Sequence, residues 1–194
     1  MIDPIQHLQK GDGLLVIDVQ WDFCPGGRLP VPGGHQIVPV MNAWMRAALN
    51  LELPVYASRD WHPQGHVSFT ERGGKWPPHC IQDTDGAQFH PELIRDDRIL
   101  VITKGVRFDH DQNSVFHDTG FARQLEYDGV RRLYVGGLAL DKCVLNSVMD
   151  ALQAGLHVGI IYEATRGADA EKGRRALETM MKAGATVLGN SYQV

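Results

Sequence analysis

Leu14-Leu15-Val16-Ile17 is apolar at every position, follows Gly11-Asp12-Gly13 and stops at Asp18. A strand with one wet face alternates polar and apolar residues, so an unbroken apolar run fits a strand buried on both faces, as in parallel sheets covered by helices. Similar runs recur at Pro54-Val55-Tyr56-Ala57-Ser58, Ile99-Leu100-Val101-Ile102-Thr103, Leu133-Tyr134-Val135-Gly136-Gly137, Val158-Gly159-Ile160-Ile161-Tyr162 and Thr186-Val187-Leu188. Between them, Ile37, Met41, Trp44, Met45 and Ala48 recur every three or four residues, as do Val144, Val148, Ala151 and Leu152, and again Ala176, Leu177, Met180 and Met181. That spacing predicts amphipathic helices, with Gly155 and Gly184 standing where two of them end. Strand–helix alternation with right-handed crossovers predicts an α/β fold in three α/β/α layers around a central, mainly parallel six-stranded sheet. The stretch from Trp61 to Pro91, rich in Gly, Pro and His, has no sustained periodicity and reads as a long binding or active-site loop. No internal repeat, low-complexity tract or linker interrupts the chain, so residues 1–194 read as a single domain.

A chain of 194 residues buries about 70% of its unfolded surface, enough to fold without disulfides or a structural metal. A bound ion would therefore serve function. With 19 Lys plus Arg against 23 Asp plus Glu, the net charge of −4 lacks the basic footprint of a nucleic-acid partner. No apolar run reaches the ~20 residues that span a bilayer, and no signal-peptide pattern opens the chain, so neither membrane insertion nor export is expected. Cys24, Cys80 and Cys143 form an odd set without CxxC spacing, which fits a reducing, cytoplasmic setting.

Ligands of open parallel sheets bind outside the carboxyl ends of the strands. Asp18, Asp60 and Lys104 close the first three strands, and Cys143 follows the fourth after Gly136-Gly137-Leu138-Ala139-Leu140-Asp141-Lys142. A thiol at a helix start, an acid to take its proton and an ammonium to steady both constitute the logic of a nucleophilic triad without histidine. The amides of Ala139 and Cys143 are candidates for an oxyanion hole. Each residue alone reads as well as a buried small hydrophobe, a turn-capping acid or a solvated lysine. Asp60 and His62, two apart on a strand end, point the same way, and His79 can close on them from the loop, with His66 nearby. One carboxylate with imidazoles suits Zn(II), Fe(II) or Mn(II). Trp21, Phe23, Trp61 and Trp76 offer flat faces for a small aromatic substrate, or packing for a loop base. Cys80, beside His79 in an extended segment, and Cys24 read as packing residues.

Asp18-Val19-Gln20-Trp21-Asp22-Phe23, Ser58-Arg59-Asp60-Trp61-His62-Pro63, Trp76-Pro77-Pro78-His79-Cys80, Lys104-Gly105 and Gly137-Leu138-Ala139-Leu140-Asp141-Lys142-Cys143-Val144 together resemble the nicotinamidase (pyrazinamidase) branch of the isochorismatase-like cysteine hydrolases. The resemblance spans nearly the whole chain in matching order. It implies hydrolysis of a small carboxamide, nicotinamide or pyrazinamide, in pyridine-nucleotide salvage. It implies Cys143 as nucleophile, Asp18 as proton acceptor and donor, Lys104 as orienting cation, and the amides of Ala139, after a cis peptide, and Cys143 as the oxyanion hole. It further implies one divalent ion, zinc before iron or manganese, on Asp60, His62 and His79, with His66 as a fourth ligand directly or through water, and Phe23 and Trp76 sandwiching the ring. Relatives are often homo-oligomers. Two residues depart from the family pattern: Leu140, where Thr or Glu is usual, and Lys142, where an aromatic or His is usual.

Overall fold

The computed structural model describes residues 2–189. Its sheet has six strands, β1 (Asp12–Ile17), β2 (Val55–Asp60), β3 (Ile99–Lys104), β4 (Arg132–Leu138), β5 (His157–Arg166) and β6 (Thr186–Leu188), in the order β3-β2-β1-β4-β5-β6. Every pairing between these six strands is parallel. Each of the six expected runs is a strand, and β5 continues four residues past Tyr162. The helices are α1 (Val38–Asn50), α2 (Phe121–Tyr127), α3 (Leu145–Gln153) and α4 (Ala170–Lys182). None is long and apolar enough to cross a membrane.

β1 is the central strand, and its two-residue period feeds two cores. Leu14 and Val16 pack on one face with Met41, Trp44, Met45 and Ala48 of α1, while Leu15 and Ile17 pack on the other with residues of α2, α3 and α4 such as Leu125, Val148 and Leu177. All four residues of the run are fully buried. That double burial is why the run is apolar throughout.

Gly155 and Gly184 end α3 and α4 in left-handed conformation, with φ of 83° and 110°. In each case the glycine amide and the one after it bond back to the last turn, Gly155 N to Leu152 O and Leu156 N to Ala151 O, Gly184 N to Met181 O and Ala185 N to Met180 O. This is the Schellman closure. The connection from β2 to β3 holds no α-helix, only the short 3-10 turns Thr70–Arg72 and Asp85–Ala87, and so is a long functional loop that runs on past Pro91 to Arg98.

The chain winds from β1 outward to β3, then crosses back to β4 on the other side of β1. The carboxyl ends of β1 and β4 therefore flank the point where strand order reverses, the position that binds ligands in such sheets. There Gly137 has φ 132°, and a Cβ on it would lie 2.0 Å from the carbonyl oxygen of Ile17. Gly137→Ala should lower the melting temperature by roughly 6–12 °C, as a loss of about 3 kcal/mol would in a domain of this size. Gly155→Ala, where a Cβ meets nothing within 4 Å, should cost about 2–4 °C through φ strain alone. Calorimetry on the two variants checks the ranking.

Candidate active site

Lys104 ends β3 with its ammonium wholly buried, and three groups from three other segments close on it. Asp18 Oδ2 lies at 2.8 Å, Asp60 Oδ1 at 2.6 Å and Cys143 Sγ at 3.5 Å. Burial pulls the Lys104 pKa down, but Asp18, Asp60 and Cys143 outweigh it and hold the amine well above its ordinary range. Burial raises the Asp18 pKa, opposed by Lys104 and reinforced by Asp60. The Cys143 thiol is likewise raised well above its usual value by burial, with Lys104 pulling the other way. Cys143 sits in a π-turn, Leu140–Val144, ahead of α3, and its burial outweighs the cation. The thiol thus keeps its proton at rest, beside a carboxylate whose own affinity for a proton is raised.

Asp18 follows β1 in a left-handed turn, φ 48°, an uncommon conformation for a residue with a side chain. Ser58 Oγ donates to its Oδ1 at 2.7 Å, and its amide donates to Ser58 O at 3.2 Å. Sequence reasoning passed over Ser58, although it lies two residues before Asp60 and so on the same face of β2. It also passed over Gln20. That buried amide accepts from Asp60 N at 2.7 Å and donates to Asp60 O at 2.7 Å and Ala87 O at 2.8 Å, fixing the carboxylate's backbone from both sides.

Asp60, His62 and His79 bring one ligand atom each within 4.8 Å of one another, all buried. The Nδ1 edge of His62 faces His79 O at 3.2 Å and that of His79 faces Pro77 O at 2.8 Å. A carbonyl only accepts, so in each ring Nδ1 carries the proton and Nε2 keeps a lone pair. Burial, with His79, His66 and Lys104 adding to it, pushes His62 down to about 3, so it is neutral near pH 7. Two imidazoles and a carboxylate are a donor set that fits a divalent ion such as zinc. His66, expected as a fourth ligand directly or through water, has its ring centroid 4.4 Å from that of His62. Its Nε2 faces His110 O at 3.0 Å, while its Nδ1 faces Ser68 Oγ at 2.7 Å. It also groups with His62 and Asp111.

Phe23, Trp76, Ala139 and Cys143 line a cavity of about 90 Å³ together with Asp60, His62 and His79. Ser68, Asp111, Asn113 and Lys142, none of which the sequence singled out for chemistry, also line it, with apolar Leu29, Pro30, Val31 and Ala168. The Leu138–Ala139 peptide is cis. Trp21 and Trp61 stay outside this wall, Trp61 carrying the Arg59 guanidinium 4.0 Å above its ring. Asp22 staples the two loops that carry Phe23 and His79, its carboxylate accepting from Arg28 N at 3.0 Å and Cys80 N at 2.7 Å. Cys80 is therefore held at φ 45° rather than extended, with its thiol in the core. Cys24 is buried too, its thiol pushed up to about 11 by desolvation.

A parallel α/β sheet whose switch point carries an acid, a buried lysine and a cysteine defines an isochorismatase-like domain. The isochorismatase domain pattern matches residues 12–191, and the chain belongs to that family. It is 36% identical to the nicotinamidase of Escherichia coli (strain K12), over 90% of this chain and 92% of that one. Among solved structures, the pyrazinamidase of Pyrococcus horikoshii in complex with zinc superposes with a TM-score of 0.90 at 39% identity, covering 93% of this chain and 99% of the other. PnC1 from L. infantum in complex with nicotinate gives 0.82 at 36%, covering 91% of each.

Gly105, φ 67°, leaves room for the His62 ring: a Cβ there would meet its Nε2 and Cδ2 at 2.9 Å. Gly105→Ala is expected to weaken binding of a divalent metal ion about 10–100-fold, the usual cost of misorienting a ligand. Competition with a chromophoric chelator measures it, and unchanged affinity would show that His62 Nε2 does not face the ion.

Proposed function

We propose that this chain is a nicotinamidase that also takes pyrazinamide, hydrolysing the ring carboxamide to the ring carboxylate and ammonia through a thioester on Cys143. The observation that carries the reading is the opening of the Lys104-centred cluster, through Cys143, into a cavity walled by Phe23 and Trp76. The similarity to nicotinamidases supports the substrate class. Asp60, His62 and His79 would hold a divalent ion, zinc in this reading, which would supply a Lewis-acid anchor for an electron-pair donor of the substrate.

Phe23 and Trp76 hold the planar ring, and its stacking excludes water from the sulfur. As Sγ bonds to the carboxamide carbon, the thiol proton passes to Asp18, whose raised pKa suits it to the task. The carbonyl oxygen gains the negative charge, and the amides of Ala139 and Cys143 receive it. Collapse breaks the C–N bond as Asp18 returns the proton to nitrogen, releasing ammonia and leaving the thioester. Asp18 then draws a proton from water attacking the same carbon, and gives it back to sulfur as the carboxylate product leaves. Lys104 keeps its charge throughout, holding Asp18 in place and offsetting the thiolate as it forms. Asp60 bonds to Lys104 through Oδ1 and so joins the lysine to the residues that would hold the ion.

Ammonia release from nicotinamide by purified, zinc-loaded protein tests the function directly. Cys143→Ala should reduce it by at least about 10³-fold while elemental analysis finds the metal retained. His62→Ala should lose both the metal and substrate affinity. Turnover surviving in Cys143→Ala would remove the thioester mechanism, and undiminished metal in His62→Ala would remove the assigned site.

A further inference from the structure

The residue before the nucleophile stands at the cavity against an aromatic wall. Lys142 is exposed, lines the cavity mouth and sets its ammonium 4.9 Å from the centre of the Trp76 ring. It forms no ion pair among the described residues. Its two neighbours are anchored independently of each other. Lys142 N bonds to Ala139 O at 2.9 Å within the nucleophile turn, whereas Trp76 is tied into its own loop, its amide donating to Ser68 O at 3.0 Å and its carbonyl accepting from Thr70 N at 2.8 Å. Backbone bonds thus fix where the Trp76 main chain lies, but leave its indole to be set by what touches it. Lys142 is the side chain that reaches across from the nucleophile turn to do so.

Resting on the functional reading of this same site, we propose that Lys142 is a specificity-determining residue: its cation–π contact with Trp76 straps the aromatic wall across the cavity mouth and restricts the enzyme to unsubstituted primary carboxamides of a single six-membered ring. The indole is the aromatic face that attracts a cation most strongly. The four-carbon stem of the lysine lies along the rim while its head stays wet, so the same side chain both narrows the entrance and steers the ring. With about 90 Å³ behind it, against roughly 300–1,000 Å³ for a drug-sized ligand pocket, the cavity has no spare room for a fused second ring unless that wall moves. Because the strap depends on charge, arginine should replace lysine and an uncharged chain of similar length should not.

The test compares wild type, Lys142→Arg and Lys142→Met on nicotinamide and on the ring-fused quinoline-3-carboxamide. An exposed cation–π contact corresponds to about a 2–5-fold change in an equilibrium. Lys142→Met should therefore raise KM for nicotinamide 2–5-fold (roughly, by that conversion) with kcat held, and improve the relative kcat/KM for the fused ring. Lys142→Arg should keep the wild-type pattern. A second readout needs no turnover: the indole N–H resonance of Trp76 in ligand-free protein should shift in Lys142→Met and stay near wild type in Lys142→Arg. Absence of ammonia release from nicotinamide by the wild type would sink the functional reading alone. An unmoved Trp76 resonance in Lys142→Met, or Met and Arg variants that behave alike, would overturn the role of Lys142.

Discussion

Lys104 carries a charge into a place without water, and the arrangement at the carboxyl edge of the sheet follows from that. An ammonium taken out of water costs several kcal/mol even after the protein relaxes around it, so it needs close anionic partners. Asp18 and Asp60 supply them at 2.8 and 2.6 Å, and the sulfur of Cys143 sits at 3.5 Å. The two carboxylates exceed the single positive charge. Burial raises the proton affinity of Asp18 on one side of the lysine, with Lys104 opposing and Asp60 adding to it, and on the other side Asp60, with the imidazoles of His62 and His79, forms a suitable anchor for a divalent cation. One buried cation thereby links the proton-transfer half of the site to the metal-binding half.

Sheet topology delivers these groups, and buried polar side chains hold them. β1, β2, β3 and β4 contribute residues at or just past their ends, which places the cluster at the reversal of strand order. The long connection after β2 lacks a helix of its own, yet His62 and His79 are fixed within it. Gln20 clamps the backbone of Asp60 and reaches Ala87, while Asp22 pulls in Cys80, next to His79, against the loop of Phe23. Gly86 packs so closely on the Asp22 carboxylate that a Cβ there would lie 2.3 Å from Oδ2. These polar groups act where a helix would otherwise supply rigidity.

The sheet was legible in the sequence because strands buried on both faces leave no polar position to blur the run, and the first three strands close at Asp18, Asp60 and Lys104, which meet the site. α2 was not, since seven residues with only Phe121 and Leu125 buried give too short a pattern for periodicity to register. The end of β5 was missed because half-buried Glu163 and Arg166 and the buried but polar Thr165 break the apolar run. Asp18, Lys104, Cys143, Asp60, His62 and His79 could be selected by residue type and strand-end position. Ser58, Gln20 and Asp22 work through partners 40 to 58 positions away, which no local pattern records. His66 was selected by its spacing alone, and its contact with the carbonyl of His110, 44 positions along the chain, has no local signature either.

Carbamidomethylation of Cys143 tests the central claim most directly, because it removes the thiol without altering any other group of the cluster. Protein alkylated for increasing times with iodoacetamide is assayed for ammonia release from nicotinamide, and the modified fraction of each cysteine is read by peptide mass spectrometry. The account predicts that activity falls in step with modification of Cys143, independently of Cys24 and Cys80, and that nicotinate slows both. Full modification of Cys143 with undiminished ammonia release would contradict it.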